Sequence, residues 1–262
     1  MSTGTLTFPR ILRAEWIKFR TLRSTWITYA VALVLSLGIG ALVSFGHGQE
    51  VHNHPDRHEL FDPVIFTQTG VFLAQLAIGV MGVMSVTGEY ATGMIRASMT
   101  AVPKRTPVLL AKVVIFALVT VIVSLVMTFG AFFIGQAILA QWNMNGSLSS
   151  PGAVRGLLGA TYYVTIVGLI GLGLGFLIRN TAGAIASVVG LVFVLPIIVS
   201  FLPSSWSQHI GKFLPSNIAG HLIETVGTSD SVLTRPVAVA VLAAYALLAI
   251  VLGWLVMKRK DV

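Results

Sequence analysis

The sequence has 262 residues, of which 55% are hydrophobic and only 10% are charged, with a formal net charge of +8 and no cysteine. Soluble domains carry about 25% charged residues, so this composition excludes an ordinary soluble protein and indicates a membrane protein. The absence of cysteine excludes disulfides and thiolate metal sites.

The chain begins with a basic arm, residues 1–24, in which apolar side chains recur at helical spacing opposite basic ones. This pattern predicts an amphipathic helix at the membrane surface. Glu15 falls inside the apolar arc, and two interpretations stay open: a surface anchor with a stray acid, or a contact between Glu15 and a soluble partner. The apolar run that follows is too long for a signal peptide, so cleavage is not expected.

Six continuous apolar runs follow, each long enough to cross a hydrocarbon core about 30 Å thick as a helix. Because the runs do not alternate with polar residues, they predict helices instead of barrel strands. The third run is overlong, so we expect it to tilt or to extend beyond the bilayer. The runs span residues 25–45, 64–86, 109–139, 156–178, 183–202 and 236–257.

Basic residues are distributed unevenly between the two predicted faces. With the N-terminus in the cytoplasm, thirteen of the seventeen Lys and Arg residues lie on the cytoplasmic side. The positive-inside rule therefore predicts that both termini are cytoplasmic. Topology and attraction to anionic lipid account for the basic excess, so no nucleic-acid partner is expected.

The first external loop contains several histidines and carboxylates, of which His52, His54 and His58 are weak candidates for metal ligands. Their spacing fits no standard metal site, so we expect a solvated polar loop and no bound metal.

A polar stretch, residues 87–108, separates the second and third runs and is far longer than a turn requires. Its composition around Met94 and Ile95 allows one short helix, which Pro103 and Pro107 would end. Two interpretations stay open: a cytoplasmic helix that binds a partner, or a solvated loop that sets topology. Glu89 and Arg96 are expected to be exposed charges there, so reversing either one should have little effect on stability or membrane levels.

The later runs predict helix packing and bending. Gly168, Gly171 and Gly175 in the fourth run would let helices approach closely. Pro196 is expected to kink the fifth run. Between the fifth and sixth runs, apolar residues at helical spacing predict two short helices, re-entrant or interfacial, in the outer leaflet.

The sequence contains no phosphate loop, zinc-protease motif or nucleophile elbow, and its runs hold no ionisable group deep in the membrane. A membrane-embedded enzyme would need a polar catalytic cluster at membrane depth. A secondary transporter usually needs an intramembrane ionisable residue. Both classes, and a stand-alone channel, stay as alternatives, but the chain is not expected to be an enzyme, and a partner would supply energy.

Three segments, in the right order around the six runs, resemble the permease subunit of bacterial ABC type-2 exporters, and the resemblance covers essentially the whole chain. In the stretch 87–108 and just after it, the matching residues are Glu89, Tyr90, Gly93, Ile95, Arg96, Pro103, Lys104, Arg105, Leu109, Ala111 and Lys112. In the arm and the last external loop they are Glu15, Trp16, Lys18, Arg20, Arg23, Ser24, Trp26, Leu214, Pro215 and Asn217. Met94 departs from the family pattern, where a small hydroxyl residue is commoner.

By this resemblance the chain is a single all-α transmembrane domain, residues 1–262, in which residues 1–24 form an elbow helix and 87–108 hold a coupling helix seated in a separate ATPase subunit. The residues expected to contact that ATPase are Glu15, Glu89, Tyr90, Gly93, Ile95 and Arg96. An internal salt bridge between Glu89 and Arg96 is the alternative. ATP and Mg²⁺ would be bound by the partner, and this chain would bind no cofactor.

The resemblance also implies an assembly and a location. Two permease subunits, identical or related, would pair with two ATPases in the bacterial cytoplasmic membrane. The spans would then move a hydrophobic or amphipathic substrate outward between the two permeases. The first and fifth spans are the expected contacts, and the face of the fourth span that carries Gly171 and Gly175 is the alternative.

Overall fold

The structure, a computed structural model, describes residues 7–54, 62–95, 105–225 and 233–259. Within these ranges the regular elements are helices and no strand is present. The α-helices are α1 Phe8–Thr21, α2 Arg23–Asn53, α3 Pro63–Thr67, α4 Val71–Ala91, α5 Arg105–Leu139, α6 Ala153–Ile178, α7 Thr181–Val189, α8 Leu195–Ser200, α9 Ser204–Gly211, α10 Pro215–Ile223 and α11 Arg235–Arg259.

Six helical segments are long and apolar enough to cross a membrane, which confirms the predicted all-α, six-span architecture. The chain is therefore a multi-pass membrane protein. A separate helix, α1, precedes the first span, and two short helices, α9 and α10, lie between the fifth and sixth. Their placement at the membrane surface stays a prediction. The spans are Arg23–Asn53, Val71–Ala91, Arg105–Trp142, Ala153–Ile178, Thr181–Ser200 and Arg235–Arg259.

The second apolar run, predicted as one helix over 64–86, is divided into α3 and α4 by a turn. Two tertiary contacts explain the division. The side-chain amide of Gln68 donates to the backbone oxygen of Thr128 on α5 at 3.1 Å. Gly70 lies so close to α2 that a Cβ there would collide with the backbone of Ser36. The span therefore begins only at Val71.

α6 lies at the centre of the bundle, with α4 and α11 packed against it. The approach of α4 is close because glycine lines it on both helices. A Cβ at Gly171 would meet the backbone oxygen of Gly79, and a Cβ at Gly175 would lie 3.0 Å from that of Val83. At Gly168 a Cβ would lie 3.0 Å from side chains of α4 and α5. These three glycines are the ones for which the sequence predicts helix packing.

The fifth span changes its helical pitch before Pro196. Between α7 and α8, the residues Gly190–Val194 form a π-helical turn, in which the Leu195 N–H donates to the oxygen of Gly190, five residues earlier. Proline lacks an N–H, and its ring clashes with the carbonyl four residues before it. A widened turn relieves that clash, which gives a physical reason for the irregularity at this position.

Candidate functional site

One end of the bundle, which we call the basic end, gathers α1, the C-termini of α4 and α11, the N-terminus of α5 and the junction of α6 with α7. Most of the described basic residues lie there. They are Arg10, Arg13, Lys18, Arg20, Arg23, Arg105, Lys112, Arg179, Lys258 and Arg259.

α1 lies against the spans through a single stripe of its surface. Its three buried residues, Ile11, Glu15 and Phe19, recur every four positions and therefore share one face. The Phe19 ring meets the ring of Phe116 on α5 edge-on, with centroids 6.4 Å apart. Leu22 is extended and separates α1 from α2, so α1 turns back onto the bundle instead of continuing into the first span.

Four charged side chains from α1, α4 and α5 meet at this interface, and we call them the charge cluster: Glu15, Lys18, Glu89 and Lys112. The Lys112 Nζ lies 2.8 Å from Glu15 Oε2 and 2.9 Å from Glu89 Oε1. The Lys18 Nζ lies 2.6 Å from Glu15 Oε1 and 3.3 Å from Glu89 Oε1. Two carboxylates and two ammonium groups make the cluster neutral overall.

The charge cluster is shielded from solvent. Glu15 is 4% exposed, Glu89 is 5% exposed and Lys112 is 7% exposed, whereas Lys18 lies nearer the surface. Burial alone would raise the pKa of Glu15, but the neighbouring ammonium groups of Lys112 and Lys18 outweigh that effect and hold the pKa below its ordinary value. Glu15 is therefore an ionised carboxylate at neutral pH, and its partners make that charge tolerable in a buried place.

A second set of contacts at the basic end holds the C-terminus of α11. Arg179 donates to the Val256 oxygen at 3.0 Å and Arg105 donates to the Met257 oxygen at 2.6 Å. The last carbonyls of a helix carry partial negative charge, so guanidinium groups are favourable partners there. Arg179 adopts a left-handed conformation after α6, which brings its guanidinium 5.2 Å from the ring centre of Tyr90.

The structure brings Glu15 and Glu89 together, although the sequence predicts each as a contact for a partner protein. The expectation that Glu89 is an exposed charge is wrong, because packing of α4 against α1 and α5 buries it. Its cationic partners are Lys112 and Lys18, while Arg96, the predicted internal partner, lies outside the described residues. Contact with an ATPase through Glu15, Glu89 or Arg96 stays a prediction.

The uncharged residues of the predicted contact set surround the end of α4. Tyr90 is half-buried under Arg179, and Gly93 is exposed with a φ of 71°, a conformation that glycine adopts readily. Ile95 is buried. Their roles as contacts are likewise untested predictions.

Lys18 and Lys112 are functional candidates that match the family pattern but receive no role from the sequence alone. Two local signals point to their partnership with the acids. Glu15 interrupts the apolar arc of α1, and Lys112 falls just inside a long apolar run. A charge at such positions requires a partner of opposite sign, although the sequence does not say which one.

The opposite end of the bundle consists of α3, α9, α10 and the N-termini of α6 and α11. There Asp62 caps α3, accepting from the Val64 N–H at 2.8 Å, and its other oxygen accepts from the Thr225 hydroxyl at 2.5 Å. Arg155 donates to the Thr225 oxygen at 3.3 Å, and Arg235 donates to the Glu224 oxygen at 3.0 Å.

The predicted weak metal ligands lie near this end. His52 and His54 are exposed at the end of α2, and His58 is outside the described residues. Within the described ranges, no three His, Asp or Glu side chains come close enough together to hold a metal ion.

The sequence around the charge cluster matches a known protein family. Residues 11–197 match the sequence model of a family described as "ABC-2 family transporter protein". A comparison with curated proteins finds no match. The matched range covers more than half of the chain and includes most of α1, the first four spans, most of the fifth and all four residues of the charge cluster.

Proposed function

Since the chain belongs to the ABC-2 family of transporter proteins, we propose that it is the permease subunit of an ATP-driven exporter. Members of this family are membrane transport subunits that work with an ABC ATPase subunit. The proposed cargo is a hydrophobic or amphipathic molecule, such as a drug, lipid or peptide, moved outward across a bacterial cytoplasmic membrane.

The proposed orientation has the basic end in the cytoplasm. Of the Lys and Arg residues within the described ranges, ten lie at the basic end and three at the opposite end. The positive-inside rule favours the basic end as the cytoplasmic one. Both chain termini and the stretch 87–108 would then face the compartment that contains ATP.

The ATPase would bind a surface formed jointly by α1 and the segment that follows α4. The observation that carries this proposal is the charge cluster, because it fixes α1 to the last turn of α4 through Glu15, Glu89 and Lys112. α1 and the last turn of α4 therefore lie side by side. On its outward face α1 exposes Arg13, Ile17 and Arg20, a cationic stripe with an apolar centre that suits an acidic groove.

This arrangement gives Glu15 and Glu89 a supporting role, while Tyr90, Gly93 and the segment around Arg96 would provide direct contacts. ATP and Mg²⁺ would be bound by the ATPase alone. Closure of two ATPases around ATP would displace α1 and the 87–108 stretch in both permeases, and the spans would follow.

A second permease subunit, either a copy of this chain or a relative, would complete the transport route. Large apolar side chains are exposed along the first and fifth spans, among them Ile27, Val34, Leu42, Ile197 and Ile198. Such faces must contact lipid or another protein. The proposed route lies between two permeases and uses these two spans.

Reconstitution tests the proposal directly. The chain would be tagged, purified from its native membrane, and placed in vesicles with the copurifying ATPase. We expect ATP hydrolysis by the ATPase together with ATP-dependent movement of a hydrophobic dye out of the compartment that faces the basic end. Dye movement by the chain alone, without ATPase or ATP, would contradict the proposal and favour a stand-alone channel or secondary transporter.

A charge reversal maps the proposed contact. Arg13→Glu with Arg20→Glu alters the outward stripe of α1, and Arg155→Glu at the opposite end is the matched control. We expect the ATPase to be lost from the purified complex only with the α1 variant. Equal ATPase recovery from all three proteins would refute the proposed docking surface.

A further inference from the structure

Lys112 is the point at which three helices meet. It extends from α5 and contacts Glu15 of α1, Glu89 of α4 and the backbone oxygen of Ser85, one turn earlier on α4, at 2.8, 2.9 and 3.3 Å. An ammonium group has three N–H donors, so each donor has one acceptor. The geometry is specific to lysine, because the planar fork of arginine presents its donors in other directions.

A small cavity borders the charge cluster on the side of α2. Its volume is about 20 Å³, and its lining includes Glu15, Glu89, Lys112 and Thr25. Two buried polar atoms of the lining residues, Glu89 Oε2 and Thr25 Oγ1, have no hydrogen-bond partner. A cavity of about 10–15 Å³ or more can hold one water molecule when polar groups line it. A water that donates to Glu89 Oε2 and bonds to the Thr25 hydroxyl would satisfy both atoms.

We propose that Lys112 is the positioning residue that transmits movement of α1 to the spans. Its contacts with Glu15, Glu89 and Ser85 form a joint between helices, and one bound water between Glu89 and Thr25 extends this joint to α2. The inference rests on the proposed function, since the movement is the one imposed by the ATPase. The joint connects α1, α2, α4 and α5 at a single point. Without it, α1 keeps apolar contacts such as that of Phe19, which permit sliding, whereas paired buried charges do not.

The test removes the joint without leaving an unpaired buried charge among its three most buried members. The triple variant Glu15→Gln/Glu89→Gln/Lys112→Met removes two negative charges and one positive charge, and the half-exposed Lys18 can turn to solvent. Replacing buried ion pairs by neutral side chains is often tolerated by the fold. We expect wild-type membrane levels, and the ATPase that copurifies with the variant is measured so that every transport ratio refers to the assembled complex.

The decisive readout is the number of substrate molecules moved per ATP hydrolysed. We expect this ratio to fall about tenfold in the triple variant, while ATP hydrolysis continues. The control is Thr128→Val with Thr161→Val, which removes a buried 2.9 Å hydrogen bond between α5 and α6 far from α1. A general loosening of the bundle would lower the ratio in the control as well and would overturn the proposal.

Lys112→Arg provides a second variant in case the triple variant does not accumulate. It keeps the positive charge but not the three-donor geometry, so it should lower the same ratio, and coupling at the wild-type ratio in this variant would overturn the role of Lys112. The proposed function itself fails if the wild-type complex shows no ATP-dependent transport or if the wild-type chain moves substrate without the ATPase. Both results are read on the wild type, so they are distinguishable from a failure of the Lys112 proposal.

The water is tested by Thr25→Val and Thr25→Ser, which remove and keep the hydroxyl. We expect Thr25→Val to lower the transport ratio and Thr25→Ser to preserve it. An experimental structure that resolves other buried waters should show one between Glu89 and Thr25. No density at that position, or equal ratios in the two variants, would refute this part of the proposal.

Discussion

The two ends of the bundle are held together by different kinds of interaction. At the basic end, acidic and basic side chains such as Glu89 and Lys112 pair with each other away from solvent, in addition to the bonds from Arg105 and Arg179 to backbone oxygens of α11. At the opposite end, side chains such as Arg155 and Arg235 bond to backbone oxygens of loops and short helices. A hydrogen bond near the surface can be exchanged for one to water, but a buried charge cannot leave its partner at low cost. The basic end should therefore move as one unit, while the opposite end can rearrange.

The largest expected effect follows from reversing a charge within the basic end. Glu89→Lys would place three ammonium groups around the single carboxylate of Glu15. Breaking a buried ion pair costs about 3–5 kcal/mol, so we expect a loss of that order in the free energy of unfolding and low membrane levels. Unfolding in detergent measures it.

The matched control for this reversal is Glu224→Lys at the opposite end, where the carboxylate is partly exposed. Surface substitutions usually change stability by less than about 0.5 kcal/mol. Equal stability of the two variants would mean that the two ends do not differ in the way described.

The second effect concerns the contact of α4 with α6, which joins the two ends. Gly171→Ala would push a methyl group into the backbone of Gly79, and overpacking of this kind typically costs about 1–3 kcal/mol. Gly38→Ala on α2 is the control, since nothing lies within 4 Å of a Cβ there. We expect the thermal midpoint to fall for Gly171→Ala only. A fall in both would indicate a general intolerance of alanine.

The third effect belongs to the opposite end. Asp62→Ala removes the cap of α3 and the bond to Thr225, and loss of a helix cap costs about 0.5–2 kcal/mol. Because the remaining contacts there are exchangeable with water, we expect this loss without a change in ATPase binding at the basic end. Thermal unfolding and copurification of the ATPase measure the two quantities. Loss of the ATPase would show that the ends are not independent.

The sequence predicts some features of this fold and not others. Local periodicity is sufficient for α1 and the six spans, because apolar runs and arcs are properties of neighbouring residues. The pairing of Glu15 with Lys112 is not local, since about a hundred residues separate them and only helix packing brings them together. The break between α3 and α4 at Gln68–Gly70 cannot be predicted from local sequence either, because it follows from the close approach of α2.

Pro196 lies between these two cases, because its effect depends partly on its own chemistry and partly on the surrounding helix. Pro196 predicts an irregular fifth span from its covalent chemistry alone. The position of the π-helical turn, before the proline, follows from the carbonyl that the ring would otherwise meet. Residue chemistry therefore predicts that a defect exists, whereas the surrounding helix decides how it is accommodated.

The smallest effect at ordinary pH concerns the titration of Glu15. Its pKa is held below the ordinary value, so the carboxylate stabilises the docked position of α1 fully above the ordinary pKa of about 4.3. This contribution is lost only as pH falls through the lower pKa of the folded chain. We therefore expect no change in α1 between pH 7 and 5, and release of α1 at more acidic pH.

Hydrogen exchange of α1 amides, corrected for its intrinsic pH dependence, measures this release. In Glu15→Gln, which has no carboxylate to protonate, the acid-induced increase in exchange should be smaller. Release of α1 in the wild type between pH 7 and 5 would show that Lys112 and Lys18 do not hold Glu15 ionised.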